Sequence, residues 1–287
     1  FLDSFFARVY PHLPCNGLKT YCKFIFQTKP MSNFAIAYLS YFPVRKEADH
    51  RSENITQLLF GEVYQVLETK ENWHFIKVLS DDYEGWIDCS EIKAIDEKTY
   101  FEIKKQRTVY AAGFFQKVGN DTNQHTIGFG SPLPYWDGIS FQIADEEFFL
   151  RGEVIQANPT YTNEFLLERA KRLLGIPYLW GGRSTFGIDC SGFVQSLFKL
   201  ANIALPRDAY QQKEFGHVVD LNESIAGDLA FFANEEGRTS HVGVIMEDQK
   251  IIHASGKVRI DNLDEKGIFN SERAIYTHQL ELIKRIK

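Results

Sequence analysis

Three residues in the C-terminal third of this sequence have the types and settings for nucleophilic chemistry: Cys190, His241 and His253. Cys190, Phe193, Val194, Leu197, Phe198 and Ala201 fall on one helical face, and Asp189 occupies the N-cap position. The spacing predicts a thiol in the first turn of a helix, on its inward face. There the partial positive charge of the helix N-terminus favours thiolate over thiol. The adjacent Asp189 carboxylate opposes this, so a base or cation is also needed. His241, in Ser-His-Val-Gly-Val, and His253, in Ile-Ile-His-Ala-Ser, sit in strand-like runs and are the candidates. A thiol, an imidazole that takes its proton and a third polar group that orients the imidazole make a working set for nucleophilic catalysis.

That chemistry demands a register. His241 and His253 share a sheet face only if the loop between their strands holds an odd number of residues. The loop Glu247-Asp248-Gln249 would set Met246 against Lys250 and Gly243 against His253. His253 then lies diagonal to His241, with Gly243 leaving space between them. A two-residue turn would throw the rings onto opposite faces. Other readings stay open at this level. A lone cysteine on an apolar helix face is more often a packing residue. Either histidine alone fits a half-buried strand position. The three together are zinc-type ligands, although no CxxC pair accompanies them.

The elements that must position these residues are also legible. Leu166, Leu167, Ala170, Leu173 and Leu174 repeat as the buried stripe of a helix, with Thr162 or Asn163 to cap its start and Gly175 and Pro177 to end it. Asp208 followed by Gln211 has the form of a capping box for a third, short helix. Strands follow over 229–232, 241–246 and 251–254. Helices and then neighbouring strands predict an α+β domain with an antiparallel sheet. Upstream, 35–92 and 108–155 read as short strands between turns, the pattern of small barrels or sandwiches. The charged stretch Asp96-Glu97-Lys98 stands between these blocks. Residues 1–30 show no steady period, and they lack the basic start and ~7–15-residue apolar stretch of an export signal.

Composition bounds the rest. The 287 residues, at ~150 per domain, suggest two or three domains, and 44% hydrophobic with 24% charged residues excludes a disordered or low-complexity chain. A net charge of −6 gives no electrostatic reason to hold nucleic acid. No apolar run approaches the ~18 residues of a membrane-spanning helix. Four cysteines, Cys15, Cys22, Cys89 and Cys190, are too few for a disulfide scaffold, and the first three read as packing residues.

Six blocks in order carry a resemblance. They are Tyr178-Leu179-Trp180-Gly181-Gly182, Asp189-Cys190-Ser191-Gly192-Phe193-Val194-Gln195, Leu205-Pro206-Arg207-Asp208, Gly227-Asp228-Leu229, Ser240-His241-Val242-Gly243 and Ile252-His253-Ala254-Ser255-Gly256. Over residues 161–287 the chain resembles the NlpC family of papain-like, cell-wall cysteine peptidases. The resemblance implies Cys190 as nucleophile, His241 as base, His253 as the orienting member and no metal or organic cofactor. It also places Tyr178 beside the oxyanion site, where the main-chain N–H of Cys190 is the other natural donor. Pro43-Val44-Arg45, 57–62 (Gln-Leu-Leu-Phe-Gly-Glu) and Asp82-Tyr83-Glu84-Gly85-Trp86 resemble a bacterial SH3-like module. Two such modules before an NlpC domain are similar to the γ-D-glutamyl-L-diamino-acid endopeptidases of murein-peptide recycling. That subgroup implies that Tyr83 reaches the active site from the first module and that Asp189 pairs with the free amine of the substrate's L-alanine. Trp180, Ser191, Arg207 and Asp208 are then expected to shape the same pocket.

The expected organisation is an extension of unclear role over 1–34, SH3-like modules over 35–96 and 97–156, and the peptidase domain over 157–287. The expected reaction is hydrolysis of the γ-D-glutamyl–diamino acid bond in free-amine stem peptides, with ~100-fold discrimination against acylated ones because an acyl group leaves a buried carboxylate unpaired. Murein stem peptides are the expected partners, without nucleic acid or a membrane span. The expected compartment is the cytoplasm, or the periplasm or exterior if an export signal was lost. The alternatives are hydrolysis of intact peptidoglycan, a catalytically weak wall-binding adapter, and acyl transfer to an amine. His12, His50, His74, His125, His217 and His278 read as surface or structural residues, and Asp228 as a turn residue.

Overall fold

The structure, a computed structural model, describes residues 33–286; the segment before them, with Cys15, Cys22 and His12, lies outside the described residues. The first block alternates buried and half-buried positions along Tyr41–Arg45 and Trp73–Val78, the signature of strands with one face on a core. Its strands are β1 (Phe34–Ile36), β2 (Tyr41–Arg45), β3 (Asn54–Leu59), β4 (Val63–Lys70), β5 (Trp73–Val78), β6 (Glu84–Asp88) and β7 (Lys93–Ile95). They form one antiparallel sheet in the order β3-β2-β6-β5-β4-β1-β7, closed over Phe42, Val44, Ile76, Val78 and Ile87.

The charged stretch that follows is helical, which the sequence reading did not anticipate. Asp96 accepts the Thr99 N–H at 2.7 Å and caps α1 (Glu97–Lys105). Only Tyr100 of this helix is buried, so its apolar stripe is too thin to stand out as a period. The second block contains β8 (Val109–Ala111), β9 (Phe115–Gly119), β10 (Gln124–Gly128), β11 (Ser140–Ile143), β12 (Glu146–Leu150) and β13 (Val154–Gln156). A four-stranded sheet, β10-β9-β12-β11, lies beside the β13-β8 pair. Phe60 of the first block and Phe141 and Phe148 of the second share a core, so neither block buries its apolar face alone.

The C-terminal part opens with α2 (Asn163–Arg172), capped by Thr162, then the short pair β14 (Arg183–Ser184) and β15 (Gly187–Ile188). Next come α3 (Cys190–Phe198), which runs into a 3-10 turn over Lys199–Ala201, and α4 (Ala209–Gln212). The strands are β16 (His217–Val219), β17 (Leu229–Ala233), β18 (Thr239–Met246), β19 (Lys250–Ser255), β20 (Lys257–Asp264), β21 (Gly267–Asn270) and β22 (Ile275–Arg285). Because β22 pairs with both β17 and β21, strands β17 to β22 close into a six-stranded barrel. The period of two then divides the work. Phe231, Val242, Val244 and Ile252 turn outward to Phe193, Val194 and Leu197 of α3, while Ala230, Phe232, Ile245 and Ile251 fill the barrel. The last three strands are missing from the sequence reading. Ile283 is the only fully buried residue of β22, so that strand has almost no alternation to detect.

A buried ion pair joins the first block to this domain. Arg183 on β14 donates from Nη2 to Glu62 at 2.9 Å and from Nη1 to the Gln57 carbonyl at 3.1 Å, and its main-chain N–H reaches Gln57 Oε1 at 2.8 Å. The Arg183 and Glu62 side chains are 2% and 5% exposed. Removing one partner leaves the other charged and unpaired, which typically costs ~3–5 kcal/mol. Arg183→Ala should therefore lower unfolding stability in urea by about that much, while Lys46→Ala, at an exposed pair with Glu53, should change it by about 0.5 kcal/mol or less. A loss below ~1 kcal/mol for Arg183→Ala would contradict this role.

Candidate active site

Cys190 is placed by its neighbour. Asp189 takes extended backbone (φ −95°, ψ 179°) and its Oδ1 accepts the Gly192 N–H at 2.7 Å, which starts α3 at the cysteine. As a first-turn group, the Cys190 N–H has no acceptor within the helix. Burial, and then the Asp189 charge, push the thiol up to about 12. The Val242 N–H, the Arg207 charge and the Ser191 N–H act the other way and do not overcome them. Desolvation thus works against the expected thiolate and outweighs the helix terminus. The influence of the Val242 N–H also seats the sulfur beside the residue that follows His241.

The histidine strands adopt the required register. Gly243 faces His253, Val244 faces Ile252 and Met246 faces Lys250 across a loop with Asp248 and Gln249 at φ 58° and 55°. A Cβ at Gly243 would lie 2.9 Å from that of His253, so only glycine leaves the rings room. His241 Nε2 and His253 Nδ1 are 2.8 Å apart, and His253 Nε2 lies 3.0 Å from Asp261 Oδ2. Arg259 forks onto the same carboxylate at 2.7 and 2.9 Å. Burial alone would raise Asp261, but hydrogen bonds from His253 and Arg259 bring it below the ordinary carboxylate value. An ionised Asp261 only accepts, so a neutral His253 carries its proton on Nε2 and offers Nδ1 to the Nε2–H of His241. That leaves Nδ1 of His241 as the ring nitrogen with a free lone pair.

His278, read from sequence as surface or structural, stacks on His241 with centroids 4.0 Å apart and planes 22° apart. Its Nδ1 is 2.9 Å from Thr277 Oγ1. Burial, then His278, then His253 hold His241 well below the ordinary imidazole range. His278 itself is lowered to about 4, chiefly by burial. Ligand nitrogens of His241, His253 and His278 lie within 4.8 Å of one another, a set able to hold a transition metal. With His241 and His278 nearly parallel, their lone pairs converge on one ion only after a ring turns. Neither Asp261 nor His278 falls in a motif. The one signal for Asp261 was its place eight residues after His253.

The remaining predicted residues separate into two groups. Arg207, 1% exposed, donates to Asp189 Oδ2 at 2.6 Å and Oδ1 at 3.1 Å, to Ser191 Oγ at 2.9 Å and, from Nε, to Thr56 Oγ1 of the first block at 2.9 Å. Asp189 Oδ2 also accepts the Gly181 N–H at 2.9 Å. Both Asp189 oxygens are therefore engaged by the protein, which corrects the expectation that this carboxylate meets a substrate amine. Gly181 is required here: it has φ +73°, and a Cβ would meet Asn54 O at 2.3 Å. Trp180 is 59% exposed; its indole N–H donates to Glu53 at 2.8 Å and its carbonyl accepts from Asn54 at 2.9 Å, so it also clasps the first block.

Tyr83 and Asp208 do meet. The Tyr83 hydroxyl, carried by the loop between β5 and β6, lies 3.2 and 3.3 Å from the two Asp208 oxygens. Burial raises Asp208, while Arg207 and the Tyr83 hydroxyl oppose the rise. Tyr178 is half-buried and near enough to Cys190 and Asp189 for their charges, after burial, to raise its phenol, so it stays protonated as a donor. Asp228 holds its turn through the Ile225 N–H at 2.9 Å and also pairs with Arg285.

A cysteine-headed helix packed on a barrel that carries a histidine pair is the arrangement of a papain-like domain, here C-terminal to an SH3-like one. The profile of the NlpC/P60 family matches residues 175–274, and that of the bacterial dipeptidyl-peptidase Sh3 domain matches 44–92. A Bacillus subtilis protein named gamma-D-glutamyl-L-lysine dipeptidyl-peptidase is 32% identical over 217 residues, covering 69% of this chain and 71% of its own. One of the same name from Bacillus cereus is 29% identical over 226 residues, covering 69% of this chain and 66% of its own. The chain belongs to the NlpC/P60 family of cysteine peptidases. A crystal structure of an NlpC/P60 family protein from Bacillus cereus shares the fold, with a TM-score of 0.75 at 22% identity, over 88% of this chain and 99% of that one.

A histidine that stays neutral well below the ordinary value remains a competent base in mild acid. The acid limb of kcat/KM should therefore have its midpoint below pH 6.5, as protons reach His241 only there. A midpoint at or above 6.5 would contradict a buried, neutral His241.

Proposed function

We propose that this chain is a cysteine endopeptidase that hydrolyses the γ-D-glutamyl–diamino acid bond of released stem peptides bearing a free L-alanine amine, as murein-peptide recycling requires. The observation that carries this reading is the contact between Tyr83 and Asp208 across two domains. It walls a half-buried carboxylate with a phenol, beside the network that holds the nucleophile. A substrate ammonium would pair with Asp208, while an acylated nitrogen would leave that carboxylate unpaired. The names of the two Bacillus relatives support the same bond.

In this reading the Cys190 sulfur attacks the γ-carbonyl as His241 Nδ1 takes the thiol proton. His253, backed by Asp261, holds the imidazole and stabilises its cationic form. The Cys190 N–H and the Tyr178 hydroxyl face the developing oxyanion. His241 then protonates the leaving amine, and water activated by His241 releases the thioester. Ser191 and Arg207 position Asp189 and the helix start. The block over 97–156, with its short antiparallel strands, is read as a second SH3-like module.

The test compares L-Ala-γ-D-Glu peptides with lysine or meso-diaminopimelate at the third position, each free or N-acetylated. The wild type should prefer the free amine by ~100-fold, Asp208→Asn should shrink that ratio to ~10 or less, and Cys190→Ala should abolish turnover. Equal cleavage of free and acetylated peptides would shift the substrate to intact wall. No cleavage of any would favour a binding adapter.

A further inference from the structure

Gln195 ends the motif block that begins at Asp189, yet the chemistry of Cys190 does not use it. It is 4% exposed and stands four residues after Ser191, one turn further along the same face of α3. That face looks onto the segment 205–208. Ser191 Oγ accepts from Arg207 Nη1 at 2.9 Å, and Gln195 Nε2 donates to the Leu205 carbonyl at 3.0 Å. The second Nε2 hydrogen crosses to the first block, where Asp81 Oδ2 accepts it at 2.9 Å. A carbonyl and a carboxylate both accept, so the amide can turn only its NH2 end toward them.

These two acceptors lie on the two segments that carry Tyr83 and Asp208. Asp81 is two residues before Tyr83, and its Oδ1 accepts the Tyr83 N–H at 3.2 Å. Its side chain is 2% exposed, and Oδ2 also stands 4.0 Å from Arg183 Nη1. The Tyr83 carbonyl in turn accepts the Val78 N–H at 2.9 Å, which closes the loop between β5 and β6. On the other side, Leu205 is three residues before Asp208. There the buried Gln212 donates from Nε2 to the Pro206 carbonyl at 2.9 Å and to the Ser191 carbonyl at 3.0 Å. The Tyr83 hydroxyl is shared between the two Asp208 oxygens at 3.2 and 3.3 Å, longer than the ~2.5–2.7 Å of a single O–H···O⁻ bond. Their direct contact is therefore too loose to set their separation, whereas one amide on the nucleophile's helix spans both segments.

We propose that Gln195 is a positioning residue that fixes the spacing of Tyr83 and Asp208, and through it the selectivity for a free substrate amine. The selectivity rests on the function proposed above, in which that pair receives the ammonium. Gln195 itself touches neither substrate nor the reacting atoms. It registers the first block and the segment 205–208 against the helix that carries Cys190.

The test uses Gln195→Met, which keeps the length and apolar fill of the side chain but donates to neither partner. On the free-amine tripeptide it should raise KM about tenfold and leave kcat within about twofold, the pattern of lost binding without lost chemistry. The N-acetylated peptide should change by about twofold or less, so the preference falls from ~100-fold to ~10-fold. Gln195→Glu, which sets a carboxylate against Asp81 and the Leu205 carbonyl, should reduce the preference at least as far. Iodoacetamide should alkylate Cys190 at a rate within about twofold of wild type in Gln195→Met. An unchanged preference would overturn the proposal, as would an equal fall on both peptides with slower alkylation, which would make Gln195 a support of the helix start alone. Tyr83 ring resonances read the positioning without any substrate. They should move in Gln195→Met, and unmoved signals would overturn the proposal whatever the substrate preference. In the wild type, Gln195 side-chain amide hydrogens that exchange as fast as those of the exposed Gln142 would overturn it even if neither variant folds. A wild type without preference for the free amine would instead overturn the function proposed above, and the Tyr83 signals would still decide whether Gln195 positions that side chain.

Discussion

The buried guanidinium of Arg207 is the charge on which the site depends. A cation at 1% exposure persists only where anions and acceptors surround it, and here Asp189, Ser191 and Thr56 supply them. Pairing with Arg207 fixes Asp189, and Asp189 fixes where α3 begins, which makes Cys190 its first residue. One of the three supporting side chains belongs to the first block. Arg183 repeats the logic with Glu62 and Gln57. Cys190 is therefore held by charges that the C-terminal domain does not satisfy alone, since Thr56, Gln57 and Glu62 of the SH3-like block supply part of what surrounds them.

The two carboxylates near the cysteine have unlike surroundings and hence unlike capacities. Asp189 has both oxygens committed to main-chain N–H groups and Arg207, while Asp208, which caps α4 through the Gln211 N–H, otherwise meets only the Tyr83 hydroxyl among the described residues. A similar division runs through the barrel. Asp261, steadied by Arg259, sets the tautomer of His253, which in turn leaves one basic nitrogen on His241. Burial disfavours the charged form of both the Cys190 thiol and the His241 imidazole.

Much of this was legible in the sequence where local rules suffice. The N-cap at Asp189, the helical stripe from Cys190 and the loop that sets Gly243 against His253 follow from spacing alone, and the SH3-like and papain-like domains followed from motif order. What was not legible depends on partners distant in sequence. Asp189 is expected to meet substrate because nothing local shows that Arg207 arrives to occupy it. Asp261 and His278 sit on strands with weak alternation and enter the site only when the barrel closes. Helix α1 was hidden by its polar face.

In the function proposed above, Tyr83 and Asp208, from different domains, act as one amine-selecting element. A double-mutant cycle of Tyr83→Phe and Asp208→Asn, read in kcat/KM on the free-amine tripeptide, tests it most directly. The two substitutions should show a coupling energy of about 1 kcal/mol or more. Additivity within ~0.3–0.5 kcal/mol would contradict it, and would mean that the first block supports the fold without selecting the substrate.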